Sequence, residues 1–174
     1  MDELEDALAL DVRKKIYNAL KRSPGLHFRE LQRRTKLATG SLQYHLDYLQ
    51  KRHLLKQEKD LKFTRFYLVR DTFSDQKEMN VLRQDSLRKI VLLLLEKKRA
   101  NNNQISRWIE VSPSTASWHL SKLVEKGIID KNKKGRKTVY TLIDPQKAAD
   151  ILVKYRRSFL DEMVDNFVEI WTQI

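Results

Sequence analysis

The sequence contains no cysteine. Disulfides, thiolate metal sites and thiol nucleophiles are therefore excluded. Only four glycines and three prolines occur in 174 residues, and none of the glycines builds a phosphate-cradling loop. The four histidines, His27, His45, His53 and His119, lack zinc-ligand spacing. The longest uninterrupted apolar run, Ile90 to Leu95, is far too short to span a bilayer. The opening MDELED is acidic, where a secretory signal would be basic and then apolar, so a cytoplasmic location is expected. No paired carboxylates, nucleophile triad or metal cluster can be assembled, so neither an enzyme nor a cofactor is expected.

What the chain has is positive charge. Its 35 basic and 23 acidic residues give a formal net charge of +12. Such a chain is drawn to polyanions: DNA, RNA or an acidic membrane surface. The charge is uneven. Residues 1–79 hold 17 basic and 12 acidic side chains, residues 80–144 hold 14 and 6, and residues 145–174 hold 4 and 5. The last segment therefore serves a different purpose.

An internal repeat organises the chain. A shift of 74 positions aligns residues 8–68 with 82–142 without a gap and with 12 identities, among them Asp11 with Asp85, Ile16 with Ile90, His45 with His119 and Leu49 with Leu123. Conservative pairs such as Tyr44 with Trp118 and Phe66 with Tyr140 add to them. Each copy reads alike. Asp11 and Asp85 are expected N-caps of a first helix. A short second helix is expected over about 28–36 and 102–110. A third starts near Thr39 and at Ser112-Pro113, where Ser caps and Pro opens the helix. Two alternating stretches, within 54–69 and 128–143, then predict a β-hairpin, tipped in the second copy by Gly135.

Three helices and a hairpin make a winged helix-turn-helix. The predicted fold is mainly α with small β-hairpin wings. A first winged helix-turn-helix domain spans 1–70, a linker expected to be helical 71–81 and a second winged domain 82–144. A long amphipathic helix over 145–174 closes the chain, with Leu152, Tyr155, Phe159, Met163, Phe167 and Ile170 at helical spacing. Trp108 reads as core. Leu92, Leu93 and Leu95 make helix 1 of the second copy apolar nearly all round, which predicts packing on the C-terminal helix. That helix is also expected to pair with a second subunit, giving a homodimer.

A recognition helix must show one face to its own core and another to the ~12 Å major groove. In 112–123, Ala116, Leu120 and Leu123 face in, leaving Ser114, Thr115, Ser117, Trp118 and Lys122 for the ligand. In 38–49, Leu42, Leu46 and Leu49 face in, leaving Ser41, Gln43 and Tyr44. Asp47 stands where the second copy has Ser121, and its carboxylate repels phosphate. Trp118 and Tyr44 fit either stacking on sugar or packing on the wing. His45 and His119 fit a half-buried structural role or a phosphate contact. Lys131, Lys133, Lys134, Arg136 and Lys137 crowd the second wing, and Lys59, Lys62 and Arg65 line the first, diluted by Glu58 and Asp60. Such cations neutralise phosphates, although a solvated charged loop looks the same in sequence.

The stretch SPSTASWHLSKLVEKGIID, with His119, Leu120 and Leu123, resembles the recognition helix and first wing strand of ArsR/MarR-type winged-helix regulators. LDVRKKIYNAL resembles their first helix. The first copy departs at the turn, where Arg52-His53 replaces Lys126-Gly127. Two units per chain look like archaeal tandem winged-helix regulators. The resemblance implies dimeric, operator-binding transcription regulators acting on double-stranded DNA, with no membrane partner. The ArsR metal sites do not carry over, because their cysteines are absent. A sequence-neutral chromatin coat and a protein-interaction scaffold of the same fold stay open.

Overall fold

A computed structural model describes residues 3–60, 63–70 and 75–174. The chain divides into two compact units, Met1–Gln76 and Lys77–Ile174. The first holds α1 (Glu3–Ala7), α2 (Asp11–Arg22), β1 (Leu26–His27), α3 (Phe28–Thr35), α4 (Thr39–Lys51), β2 (Leu55–Asp60) and β3 (Phe63–Leu68). After α5 (Gln76–Leu82), the second holds α6 (Asp85–Lys97), α7 (Asn102–Trp108), α8 (Pro113–Glu125), β4 (Ile129–Lys134) and β5 (Lys137–Leu142). It ends in α9 (Pro145–Lys154), α10 (Arg156–Phe159) and α11 (Glu162–Trp171). Residues 71–74 of the expected linker lie outside the described residues.

The first core forms because three helices each turn one apolar stripe to the same centre. Ile16 and Leu20 of α2, Leu31 of α3, and Leu42, Leu46 and Leu49 of α4 are fully buried, closed over by Leu55, Phe66 and Leu68 of the hairpin. The strands run antiparallel in the order β1-β3-β2. The Pro24-Gly25 turn after α2 is fastened to β3: Gly25 N–H donates to Phe66 O at 3.0 Å, and Arg65 Nη1 donates to Gly25 O at 2.9 Å. Gly25 sits at φ +78°, and a Cβ there would stand 2.7 Å from the Tyr67 hydroxyl. Only glycine satisfies both the backbone and the space.

The 74-residue offset holds in three dimensions. The hairpin register Leu55↔Leu68, Gln57↔Phe66 and Lys59↔Thr64 recurs as Ile129↔Leu142, Lys131↔Tyr140 and Lys133↔Thr138. The β1 contact Leu26↔Phe66 recurs as the bridge Ala100↔Tyr140. Left-handed backbone falls at Lys36 and Glu110, and again at His53 and Gly127. Both units are thus winged helix-turn-helix folds, mostly helical with small antiparallel hairpins.

Three expectations are corrected. Asp11 and Asp85 are the first helical residues rather than the caps, which are Leu10 and Gln84. Asp85 spends its carboxylate on Arg88 and Lys89, each at 3.0 Å. Trp108 is 40% exposed and donates through Nε1 to Lys89 O at 3.2 Å, so it covers the α6–α7 seam instead of entering the core. The segment 145–174 is three helices, broken where Leu160 turns left-handed at φ 52° and Asp161 caps α11 by accepting from Met163 N–H. The break lets the chain fold back, so that α11 packs on both α6 and α9.

That packing uses part of the C-terminal apolar face, as the apolar surplus on α6 predicts. Ile170 is 65% exposed. Leu152 is wholly buried, and Tyr155, Phe159, Met163 and Phe167 are half-buried against the core of their own unit. This cover explains the apolar surplus of α6, whose Leu92, Leu93 and Leu95 are all buried. Polar ties hold it in place. Arg88 Nε meets the Asp161 carboxylate at 2.6 Å, and Arg83 donates to Ser158 O at 2.8 Å. Arg156 bonds both Asp165 and Glu169, joining α10 to α11.

Candidate nucleic-acid interface

The two helices that would read a groove are built alike and started differently. Ser112 caps α8 by accepting from Thr115 N–H at 3.2 Å, with Pro113 at the first helical position. Helix α4 has Ala38 at that place and no side-chain cap. Gln32 of α3 compensates by donating to Thr39 Oγ1 at 2.9 Å. Ala116, Leu120 and Leu123 of α8 and Leu42, Leu46 and Leu49 of α4 are fully buried, so each helix has one rotational setting.

That setting turns the sequence-nominated residues outward. Ser114, Thr115, Ser117, Trp118, Gln43 and Tyr44 are exposed, and Ser41 and Lys122 half-buried. The hydroxyls have local partners. Ser112 Oγ lies 2.9 Å from both Ser114 Oγ and Thr115 Oγ1. Ser117 accepts from Asn102 Nδ2 at 2.7 Å. Ser121 bonds back to Ser117 O at 2.9 Å. Gln43 donates to Asp47 at 2.9 Å, so in the first unit the amide already serves a carboxylate. Tyr44 is 63% and Trp118 54% exposed. Trp118 is held by its own helix: His119 meets it edge-on at 4.9 Å, and Lys122 Nζ stands 3.9 Å from the ring centroid. Tyr44 meets His45 in the same edge-on way at 5.1 Å.

His45 and His119 are half-buried, and each has a buried Nδ1 without a hydrogen-bond partner. An unpaired buried N–H costs more than an unpaired lone pair. The neutral ring therefore carries its proton on Nε2. Burial pushes both pKa values below the ordinary histidine range, helped by Arg13 beside His45 and by Lys122 beside His119.

The wings divide the prediction. Lys131, Lys133, Lys134, Arg136 and Lys137 are all exposed on β4, β5 and the two-residue turn at Gly135-Arg136, where Gly135 takes φ +63°. Lys59 is exposed, and Lys62 lies outside the described residues. Arg65 is a correction. It is 3% exposed, and its guanidinium holds the Gly25 carbonyl inside the fold, so it cannot reach a phosphate. Its place in the strand alternation did not reveal this, because the acceptor is 40 residues away.

A second cationic surface lies outside the residues expected from the sequence. Arg29 and Arg33 are exposed one turn apart on α3, and Lys36 follows at its end. The i, i+4 spacing was the available signal. Their field reaches His27, which caps α3: Nδ1 accepts from Glu30 N–H, and Glu30 accepts from His27 N–H. Burial lowers the His27 pKa against the pull of Glu30, with Arg65, Arg33 and Arg29 adding to the lowering.

Among the described residues no group of three or more histidine or carboxylate side chains is placed to hold a metal ion, and no helix is long and apolar enough to cross a membrane.

Comparison with known proteins agrees with this geometry. A family described as an N-terminal HTH domain matches residues 10–81. A second, described as winged helix-turn-helix DNA-binding, matches residues 83–130. An uncharacterized HTH-type transcriptional regulator of Methanocaldococcus jannaschii is 28% identical over 141 residues. The match covers 80% of this chain and 35% of that protein, so the chain spans about a third of its relative's length. The chain carries two tandem helix-turn-helix domains, the second of the winged DNA-binding class.

Proposed function

We propose that the protein is a sequence-specific transcription regulator that binds double-stranded DNA through α4, α8 and their wings, in the manner of the ArsR/MarR-type regulators it resembles. The carrying observation is in the second unit: α8 presents an exposed polar and aromatic face beside a hairpin with five exposed cations. The hairpin neutralises phosphates, and the helix distinguishes bases. The M. jannaschii relative, named a transcriptional regulator, supports the regulatory part. Such a protein works where the DNA is, which we take to be the cytoplasm.

Anisotropy titrations with duplex DNA at graded salt test this. Changing Lys133, Lys134, Arg136 and Lys137 together to Gln lowers the salt slope by about 3–4 and weakens all sequences alike. A duplex selected from a randomised library binds ~10³-fold or more tighter than random duplex. Equal affinity for both identifies a sequence-neutral coat instead. Absence of binding at low salt identifies a scaffold.

We also infer a homodimer closed by the C-terminal region. That region has a charge near neutral, unlike the strongly cationic remainder, and leaves Leu160 and Ile170 exposed after its own unit is packed. Two such regions can meet without the repulsion that opposes contact between cationic surfaces. Light scattering at micromolar concentration gives the mass of two chains, and a monomer there removes the inference.

A further inference from the structure

On the outward face of α8 the small hydroxyls are poor discriminators. Ser114 and Thr115 share the cap hydroxyl of Ser112, Ser117 holds Asn102, and Ser121 is bonded to its own helix. A base edge must compete with these bonds for each of them. The apolar ring atoms of Trp118 have no hydrogen bond to give up, and the Lys122 ammonium stands over one ring face only. The indole is 54% exposed, and a ring has no face hydrogen bond to exchange with water. It also has neighbours on its own helix: its ring centroid lies 4.9 Å from that of His119 at a steep interplanar angle, and the Lys122 ammonium stands 3.9 Å from it. These contacts reduce the rotamer entropy left to lose when the ring meets a ligand.

The major groove offers such a ring one apolar group, the C5 methyl of thymine. Lys122, anchored over the same ring, brings a positive charge to the neighbouring phosphates or to guanine acceptors. We propose that Trp118 is a specificity-determining residue of the second unit, which recognises thymine through its C5 methyl group. The proposal rests on the reading of α8 as the groove-facing helix.

The test uses the full chain and the best-bound duplex selected from a randomised library, synthesised once with thymine and once with uracil throughout. The two differ only by the methyl groups. The wild-type chain is expected to bind the thymine duplex about fourfold tighter per methyl contacted, the weight of one buried carbon. Trp118→Ala abolishes this preference, and Trp118→Phe restores part of it. Tyr44→Ala leaves most of it, since Tyr44 lies in the other unit. Equal wild-type affinity for both duplexes overturns the proposal while leaving DNA binding intact. A preference unchanged in Trp118→Ala overturns it too, by placing methyl recognition elsewhere. If the wild type binds neither duplex nor the library, the DNA-binding reading itself fails.

Discussion

The two units share one backbone plan and only part of its polar detail. Helices α4 and α8 occupy the same 13 positions at an offset of 74, and their hairpins pair in the same register. The shared part is apolar spacing and the backbone bends that follow from it. His45 and His119 keep the same half-buried setting, but other polar positions have gone separate ways. His27 caps α3 where Asn101 caps α7, and each is completed by the third helical residue, Glu30 or Gln104. Arg65 braces the Pro24-Gly25 turn from a position that holds Val139 in the second unit. Exposed Lys14 of α2 corresponds to buried Arg88 of α6, which needs a carboxylate because it lies under α11. Exposed cations are densest on α3 in the first unit and on the wing in the second. A helix-turn-helix therefore tolerates polar change provided its three stripes converge.

The comparison breaks most sharply at Arg88. Asp161→Ala removes one of the two carboxylates that serve the buried Arg88 guanidinium, leaving Asp85 and the Leu82 carbonyl, and it removes the cap of α11. It is expected to destabilise the second unit by about 2–4 kcal/mol, with little effect on the first. All three tryptophans, 108, 118 and 171, lie in the second unit, so tryptophan fluorescence during urea unfolding follows that unit alone. Hydrogen exchange in residues 11–68 follows the other. An unchanged fluorescence midpoint would mean that the C-terminal helices do not brace the second unit.

Acid gives a smaller effect. The folded-state pKa values of His27, His45 and His119 are all lowered. Below the ordinary value near 6.5 the unfolded chain therefore binds more protons than the folded one. The full stability is present above about pH 6.5 and declines as pH falls through the depressed folded values. Protonation also removes the lone pair with which His27 caps α3. His27→Asn, which installs the second unit's own cap, is expected to flatten the pH dependence of the first unit between about pH 6.5 and 5. Denaturation at both pH values measures it, and an unaltered slope removes His27 as the cause.

The smallest effect is at the turn after α4. His53 holds φ 55° where Gly127 holds φ 63°. His53→Gly relieves a left-handed non-glycine residue and is expected to stabilise the first unit by up to about 1 kcal/mol, while Gly127→Ala acts oppositely in the second. Equal and opposite shifts in hydrogen-exchange protection would show that the two turns do the same work.

The sequence alone determined the repeat, the fold of each copy, the inward and outward faces of α4 and α8, and the exposed cations of the second wing. These follow from the periodicity of apolar residues and from turn chemistry, which act between neighbours in the chain. What only the tertiary structure decided are the long-range pairings. Arg65 has the sequence position of a wing cation, but its guanidinium is spent on the Gly25 carbonyl. The expected straight helix over 145–174 folds back because Arg83 and Arg88 hold Ser158 and Asp161, more than 70 residues away. Periodicity shows that a face is apolar, but it does not name the surface that covers it. Here α6 and α9 of the same unit take up part of the C-terminal apolar face.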